Sequence, residues 1–320
     1  MNQPEKPHIL LLVAGGLGNQ LFQVAAALNL SKGKRIELET GVALPRRNHL
    51  GEAEIESFIL PENVTVRKIR YPNTWMRKNA NLFLRISASS KKFNKFPGYK
   101  ILVFVSSLAN LLYFKEWRKT VASDSLGETE IELPTGKILL IGLFQSQKWV
   151  IDSNVTAVMR NLRVLNPSQQ LLDLEKNAIR ECPLIVHVRL GDYLSEKSFG
   201  IPDKSYYESA IKEALKHRSY KSLWLFSNDL DSAKNFLPKD LSIPIREIGD
   251  VGTSSAEVLQ AMRLGYGYVL GNSTFSWWAA YLAHDTTSQV YFPFPWFKAT
   301  HSPENLTPTD WFAIPAWDSD

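Results

Sequence analysis

The amino-acid sequence predicts an α/β protein of two domains, each built on a parallel sheet. Three observations lead there. The chain has 320 residues, more than one core comfortably holds when domains average about 150. Short apolar runs alternate with stretches of helical period, the order that parallel sheets require. These runs end in polar or glycine-bearing turns, where open α/β sheets bind ligands. The composition, 44% apolar and 22% charged with no low-complexity tract or internal repeat, excludes fibrous and disordered classes.

The elements follow in order. Residues 8–14 (HILLLVA) make a strand that breaks into the glycines of 15–20 (GGLGNQ). A helix over 21–34 (LFQVAAALNLSKGK) and a strand over 35–39 (RIELE) complete an opening β-α-β unit. The basic stretch beyond has a mostly helical period, and 137–150 (KILLIGLFQSQKWV) returns as a strand with a polar end. This closes a first domain over 1–165, and a second runs over 166–320. It opens with a connector helix bounded by Pro167 and Pro183. Strands over 184–190, 222–229, 243–250 and 266–272 then alternate with helices over 204–217, 254–264 and 275–284. The tail from about Tyr291, rich in proline, reads as irregular chain on the surface.

A single cysteine, Cys182, excludes an intramolecular disulfide and a cysteine zinc site, and fits a reducing compartment. The apolar stretch 9–14 is too short for the core of a signal peptide, and no other run is long enough to span a bilayer. The expected location is therefore cytoplasmic, peripheral on the inner membrane at most. The net charge of +5 is unevenly spread. Residues 67–119 hold thirteen Lys or Arg and one acid, Glu116, which leaves 24 basic and 31 acidic residues elsewhere. Interleaved with Trp75, Phe83, Phe93, Phe96 and Tyr99, this segment suits an anionic membrane surface, at about 1 kcal/mol per basic residue close to it. Its alternative is an amphipathic helical region with solvated lysines. Nucleic acid is not expected as a partner, because no reader module is recognisable.

Three stretches carry chemistry. The glycine turn places leucine where a dinucleotide fingerprint needs its third glycine, and it lacks the Lys-Ser/Thr pair of a P-loop. What remains is a helix start with free N–H groups, flanked by Gly16, Gly18 and the side-chain amides of Asn19 and Gln20. In VHVRLGDYL, strand alternation puts His187 and Arg189 on one face and Val186, Val188 and Leu190 on the other. Arginine's planar fork suits phosphate oxygens, while an Arg189–Asp192 salt bridge closing a turn is the structural alternative. In GNSTFSWWAAYLAH, Ser273 and Thr274 stand at the first turn of a helix, able to cap it or to present hydroxyl and N–H groups to an anion. Trp277 and Trp278 read as core packing. Ser254 to Glu257 has the spacing of a capping box. Asn29, Asn63, Asn154, Asn272 and Asn305 head glycosylation triplets, which alone carry little weight.

Three anion-seeking turns in two α/β domains converge on a diphosphate held in a cleft. Taken in order over 15–282, GGLGNQLFQVAAAL, GLFQSQKW, HVRLGDY, FSND and GNSTFSWWAAYL resemble the inverting α-1,2-fucosyltransferases of glycosyltransferase family 11. The resemblance implies a GT-B fold, two Rossmann-like domains facing across a nucleotide-sugar cleft. It also implies GDP-β-L-fucose as donor and transfer with inversion to a galactose 2-hydroxyl, the acceptor being an oligosaccharide, lipid-linked in the fullest version. By the same resemblance Arg189 binds the β-phosphate, Gly16, Gly18 and Asn19 close on the diphosphate, and Ser273, Thr274 and Phe275 cradle the phosphates. Glu257 and the backbone of His187 become candidates for guanine recognition. The chain departs from the family pattern at Leu190, where a second arginine is usual, and at Gln147, where an acid is common.

No cofactor and no metal are expected, because Arg189 and two helix starts can neutralise the leaving diphosphate. Asp192 and His187 are the titratable groups nearest the presumed site, and Asp192 is the candidate base for the acceptor hydroxyl. Two other readings compete: an NAD-dependent oxidoreductase using the glycine turn, and a non-catalytic glycan or polyanion binder of the same fold.

Overall fold

The computed structural model describes residues 8–40, 53–68, 119–122, 127, 130–131, 133–191, 198–303 and 305–317. Asp192 and most of the basic segment 67–119 lie outside the described residues. The chain divides into two compact units. Unit 1 comprises Met1–Leu162 with Pro303–Leu306, and unit 2 comprises Arg163–Ser302 with Thr307–Asp320. Each is α/β with an all-parallel sheet among its described strands, the class that the sequence predicts.

In unit 1 the strands are β1 (His8–Leu12), β2 (Ile36–Glu39), β3 (Val64–Arg67), β4 (Lys119–Ala122) and β5 (Lys137–Ile141), in the order β3-β2-β1-β5-β4. β1 is apolar on both faces because it lies in the middle of the sheet; Ile9, Leu10 and Leu11 have no exposed surface. Helix α1 (Leu17–Ser31) packs on β1, is buried on most of its circumference including Ala25 to Ala27, and ends in a left-handed residue, Lys32. Among the described residues a second helix of unit 1, α2 (Ser153–Arg160), is capped by the Asp152 carboxylate on the N–H groups of Asn154 and Val155.

Unit 2 begins with α3 (Gln169–Glu181), started by the Ser168 hydroxyl and closed by Cys182 in the left-handed region. Its strands are β6 (Leu184–Val188), β7 (Leu223–Ser227), β8 (Ile245–Ile248), β9 (Gly267–Val269), β10 (Gln289–Phe294) and β11 (Phe312–Pro315). Their order is β11-β10-β9-β6-β7-β8. The helices are α4 (Lys204–His217), the single turn α5 (Leu230–Ala233), α6 (Ser255–Met262) and α7 (Thr274–Tyr281). One face of β6 enters a core made by Val186, Val188 and Leu190 with Tyr206, Tyr207, Ala210 and Ile211 of α4. Trp277 and Trp278 are fully buried, as expected of core anchors, and Trp277 stacks on Tyr281 with centroids 4.8 Å apart.

The tail corrects the expectation of irregular chain, since β10 and β11 extend the sheet of unit 2. Prolines hid them. Pro293 pairs with Ile314 but lies past Tyr291, the last β10 residue in register with β9, so its missing N–H costs no bond to that neighbour.

Candidate active site

In the unit 2 sheet, β6 and β9 are neighbours, and the chain leaves them toward opposite sides: to β7 from β6, to β10 from β9. A sheet whose order reverses at one point leaves a crevice at the carboxyl ends of those two strands. Arg189 follows β6 directly, and Gly271, Asn272 and Ser273 follow β9. The two ends touch. A methyl group on Gly271 would lie 3.0 Å from the His187 carbonyl oxygen and 3.5 Å from the Arg189 amide nitrogen, so a side chain there would crowd the turn against the end of β6. The His187 ring packs against Phe275, with centroids 6.2 Å apart.

The structure therefore brings His187, Arg189, Ser273, Thr274 and Phe275 to one edge. Arg189 is half-buried there. Ser273 has extended backbone and caps α7, its hydroxyl oxygen accepting from the Phe275 N–H at 3.3 Å. The oxygen thus serves the helix, while the hydroxyl proton stays available as a donor. His187 is buried, and burial first, then the charge of Arg189, pushes its imidazole down to about 3. The ring is neutral at pH 7 and adds no charge to the crevice. Its Nδ1 is buried with no hydrogen-bond partner.

Asn228 holds the turn after β6. Its Oδ1 accepts from the Leu190 N–H at 3.0 Å, and Gly191, at φ +36°, has no room for a side chain because a methyl there would sit 2.5 Å from Asn228 Nδ2. The FSND stretch at the end of β7 signals this residue only as part of a pattern; its task is visible in the contact. Leu190 points into the α4 core, as the alternation predicts.

Glu257 stands elsewhere in unit 2. Its Oε1 accepts from the Ser168 N–H at 2.7 Å and its Oε2 from the Thr253 N–H at 3.0 Å, tying the start of α3 to the start of α6. Only half of the capping box forms: the Ser254 hydroxyl caps the Glu257 N–H, while the carboxylate reaches Thr253 instead of Ser254. Burial pushes this carboxyl up, and the hydrogen bonds from Ser168 and Thr253 outweigh it, leaving it below its ordinary value.

Gly16, Gly18 and Asn19 lie in unit 1, at that sheet's own reversal point between β1 and β5. Here the structure corrects the sequence reading. α1 starts at Leu17, so Gly18, Asn19 and Gln20 form its first turn rather than a loop. The helix start is not free, because the Glu54 carboxylate accepts from the Leu17 N–H at 2.9 Å. The Gln20 amide is spent on the Gly15 carbonyl and the Ile55 N–H, both at 2.9 Å. Asn19 accepts from Gln145 Nε2 at 3.0 Å, which joins the ends of β1 and β5. The glycine that geometry requires is Gly15, at φ +79° and crowded by Asn19; a side chain on Gly16 would meet open space. Nothing in the local sequence pattern announces Glu54 as the cap, since it lies 37 residues from Leu17.

The family model described as glycosyl transferase family 11 matches residues 139–314, more than half of the chain and the whole β6–β9 edge. The chain belongs to glycosyl transferase family 11. This family 11 protein is a glycosyltransferase. It is 21% identical over 299 residues to an alpha-1,2-colitosyltransferase of Escherichia coli, covering 91% of this chain and 92% of that one. It is 24% identical over 319 residues to the O-antigen biosynthesis glycosyltransferase WbnK of Escherichia coli, covering 94% and 99%. A crystal structure of POFUT1 with GDP-fucose is similar over 88% of this chain and 95% of that chain, at 13% identity and a TM-score of 0.44. At the β6–β9 edge an arginine and a helix start meet, a cation beside oriented N–H donors.

Proposed function

We propose that this family 11 glycosyltransferase moves L-fucose from GDP-β-L-fucose, with inversion, to the 2-hydroxyl of a terminal galactose in an oligosaccharide. The observation that supports it most is the contact of the Gly271 turn with the end of β6, which sets Arg189 beside the first turn of α7. In this reading the β-phosphate lies against the Arg189 guanidinium and the Ser273–Phe275 turn. The acceptor oxygen bonds to C1 of the sugar from the opposite face. The C1–O bond breaks, its electron pair leaves with GDP, and the acceptor proton passes to a base, for which Asp192 is the candidate. Charge grows on the diphosphate as that bond lengthens, so donors fixed in advance act most strongly in the transition state, at about 3 kcal/mol each. No metal is needed for that neutralisation. Glu257, an ionised carboxylate with unused lone pairs, keeps its candidacy for the guanine N–H groups.

The names of the two relatives bear on the finer points: one carries the α-1,2 linkage with a colitosyl donor, the other belongs to O-antigen biosynthesis. A lipid-linked acceptor would bring the enzyme to a membrane, and the basic segment 67–119 is its proposed dock. The test offers GDP-fucose and the corresponding colitosyl donor in parallel to a panel of β-galactosides, with the product linkage read by NMR. An α-1,2-fucosylated galactoside is expected. Preference for the colitosyl donor, or another linkage, would replace the fine assignment while keeping the class.

A further inference from the structure

We propose that Tyr206, on α4 and outside the site, is a positioning residue that fixes the Leu270–Ser273 turn and with it the start of α7 against Arg189. The proposal rests on the donor site assigned above. Tyr206 has no exposed surface, and its hydroxyl donates to the Leu270 carbonyl at 2.5 Å, with the Tyr291 carbonyl 3.4 Å away. Leu270 is the residue after β9, and its carbonyl belongs to the peptide that leads into Gly271. Holding that oxygen fixes the plane of the peptide, hence the direction in which the turn leaves the sheet.

Glycine needs such a hold. Gly271 has no side chain to restrict its backbone, yet it must lie against His187 and Arg189. The next peptide is held as well: the Ser276 hydroxyl contacts the Gly271 carbonyl at 3.2 Å and the Ser273 carbonyl at 3.0 Å, and the Ser273 N–H donates to the Gly271 carbonyl at 2.8 Å. Tyr206 thus clamps the first peptide of the turn and Ser276 the second. Both residues are fully buried, and neither is among the residues that the donor reading places on the phosphates. Tyr207, next in sequence, adds a longer hydrogen bond of 3.4 Å from its hydroxyl to the His187 carbonyl.

Misplacing a preset donor costs more in the transition state than in the ground state, because the charge it answers is still growing when the bond breaks. Loss of the clamp should therefore appear in kcat rather than in the KM for donor. The experiment compares wild type, Tyr206→Phe and Ser276→Ala, with Tyr220→Phe as a control whose buried hydroxyl has no partner to lose. Each full-length protein is assayed with GDP-fucose and acceptor well below its melting temperature, and GDP affinity is measured by calorimetry. Tyr206→Phe and Ser276→Ala are expected to lose about tenfold in kcat while donor KM and GDP affinity stay within about threefold, and Tyr220→Phe to match wild type. Should Tyr206→Phe fail to fold, Ser276→Ala carries the same test on the second peptide. Unchanged kcat in the folded variants, or an equal loss in Tyr220→Phe, overturns the positioning role. A wild type that neither binds GDP nor turns over overturns the donor assignment itself.

Discussion

Leu190 stands where the family resemblance implies a second arginine, yet it is 3% exposed and shares a core cluster with Tyr206, Tyr207 and the β7 leucines. The alternation of β6 sends it there, and the neighbours are apolar. Leu190→Arg is expected to lower stability by at least about 2 kcal/mol in chemical denaturation, since the charge would have to enter that core, instead of adding a phosphate contact. His187 gives a second test at this scale. Its folded value of about 3 lies below the ordinary 6.5, so the unfolded chain binds more protons between the two. The stability this group contributes is full above about pH 6.5 and falls as pH drops toward 3, by at most about 1.4 kcal/mol per unit. Glu257, also lowered, works in the same direction when pH falls through its folded value. His187→Asn should flatten the wild-type acid slope across that window, and identical slopes would show that the ring is not held neutral by burial.

The decisive element is the turn from β9 into α7. Gly271→Ala should cut kcat/KM by about tenfold or more, because the new methyl meets a carbonyl at 3.0 Å and a tyrosine hydroxyl at 3.2 Å and pushes the turn off β6. Near-wild-type activity would mean that this contact does not set the site. Much of the element pattern was legible in the sequence: α4 begins and ends where its periodicity places it, and α3 sits between the two prolines. His187 and Arg189 were legible as a pair because alternation fixes faces independently of tertiary context. The failures have a common cause, contacts between residues distant in the chain. Glu54 on the start of α1, Asn228 on the turn after β6 and the pairing of β10 with β11 at Pro293 are each set by a partner that local pattern does not name.

At the scale of the whole molecule, the strongest charge asymmetry of the sequence, 67–119, lies mostly outside the described residues, and among those described no helix is long and apolar enough to cross a membrane. If the segment docks on lipid, the protein should sediment with anionic vesicles, less so at high salt, and not with neutral ones. Equal binding to both would remove the dock. The reversal points of the two sheets also differ in kind. In unit 1 a carboxylate already occupies the helix start, whereas in unit 2 an arginine stands beside one, and the proposed function therefore puts the diphosphate in unit 2. Calorimetric titration of GDP into wild type and Arg189→Ala, both in EDTA, tests that claim most directly. Binding by wild type without metal, weakened about tenfold or more in a folded Arg189→Ala, is the predicted result. Equal affinity in the two proteins, or no binding until a divalent cation is restored, would contradict it.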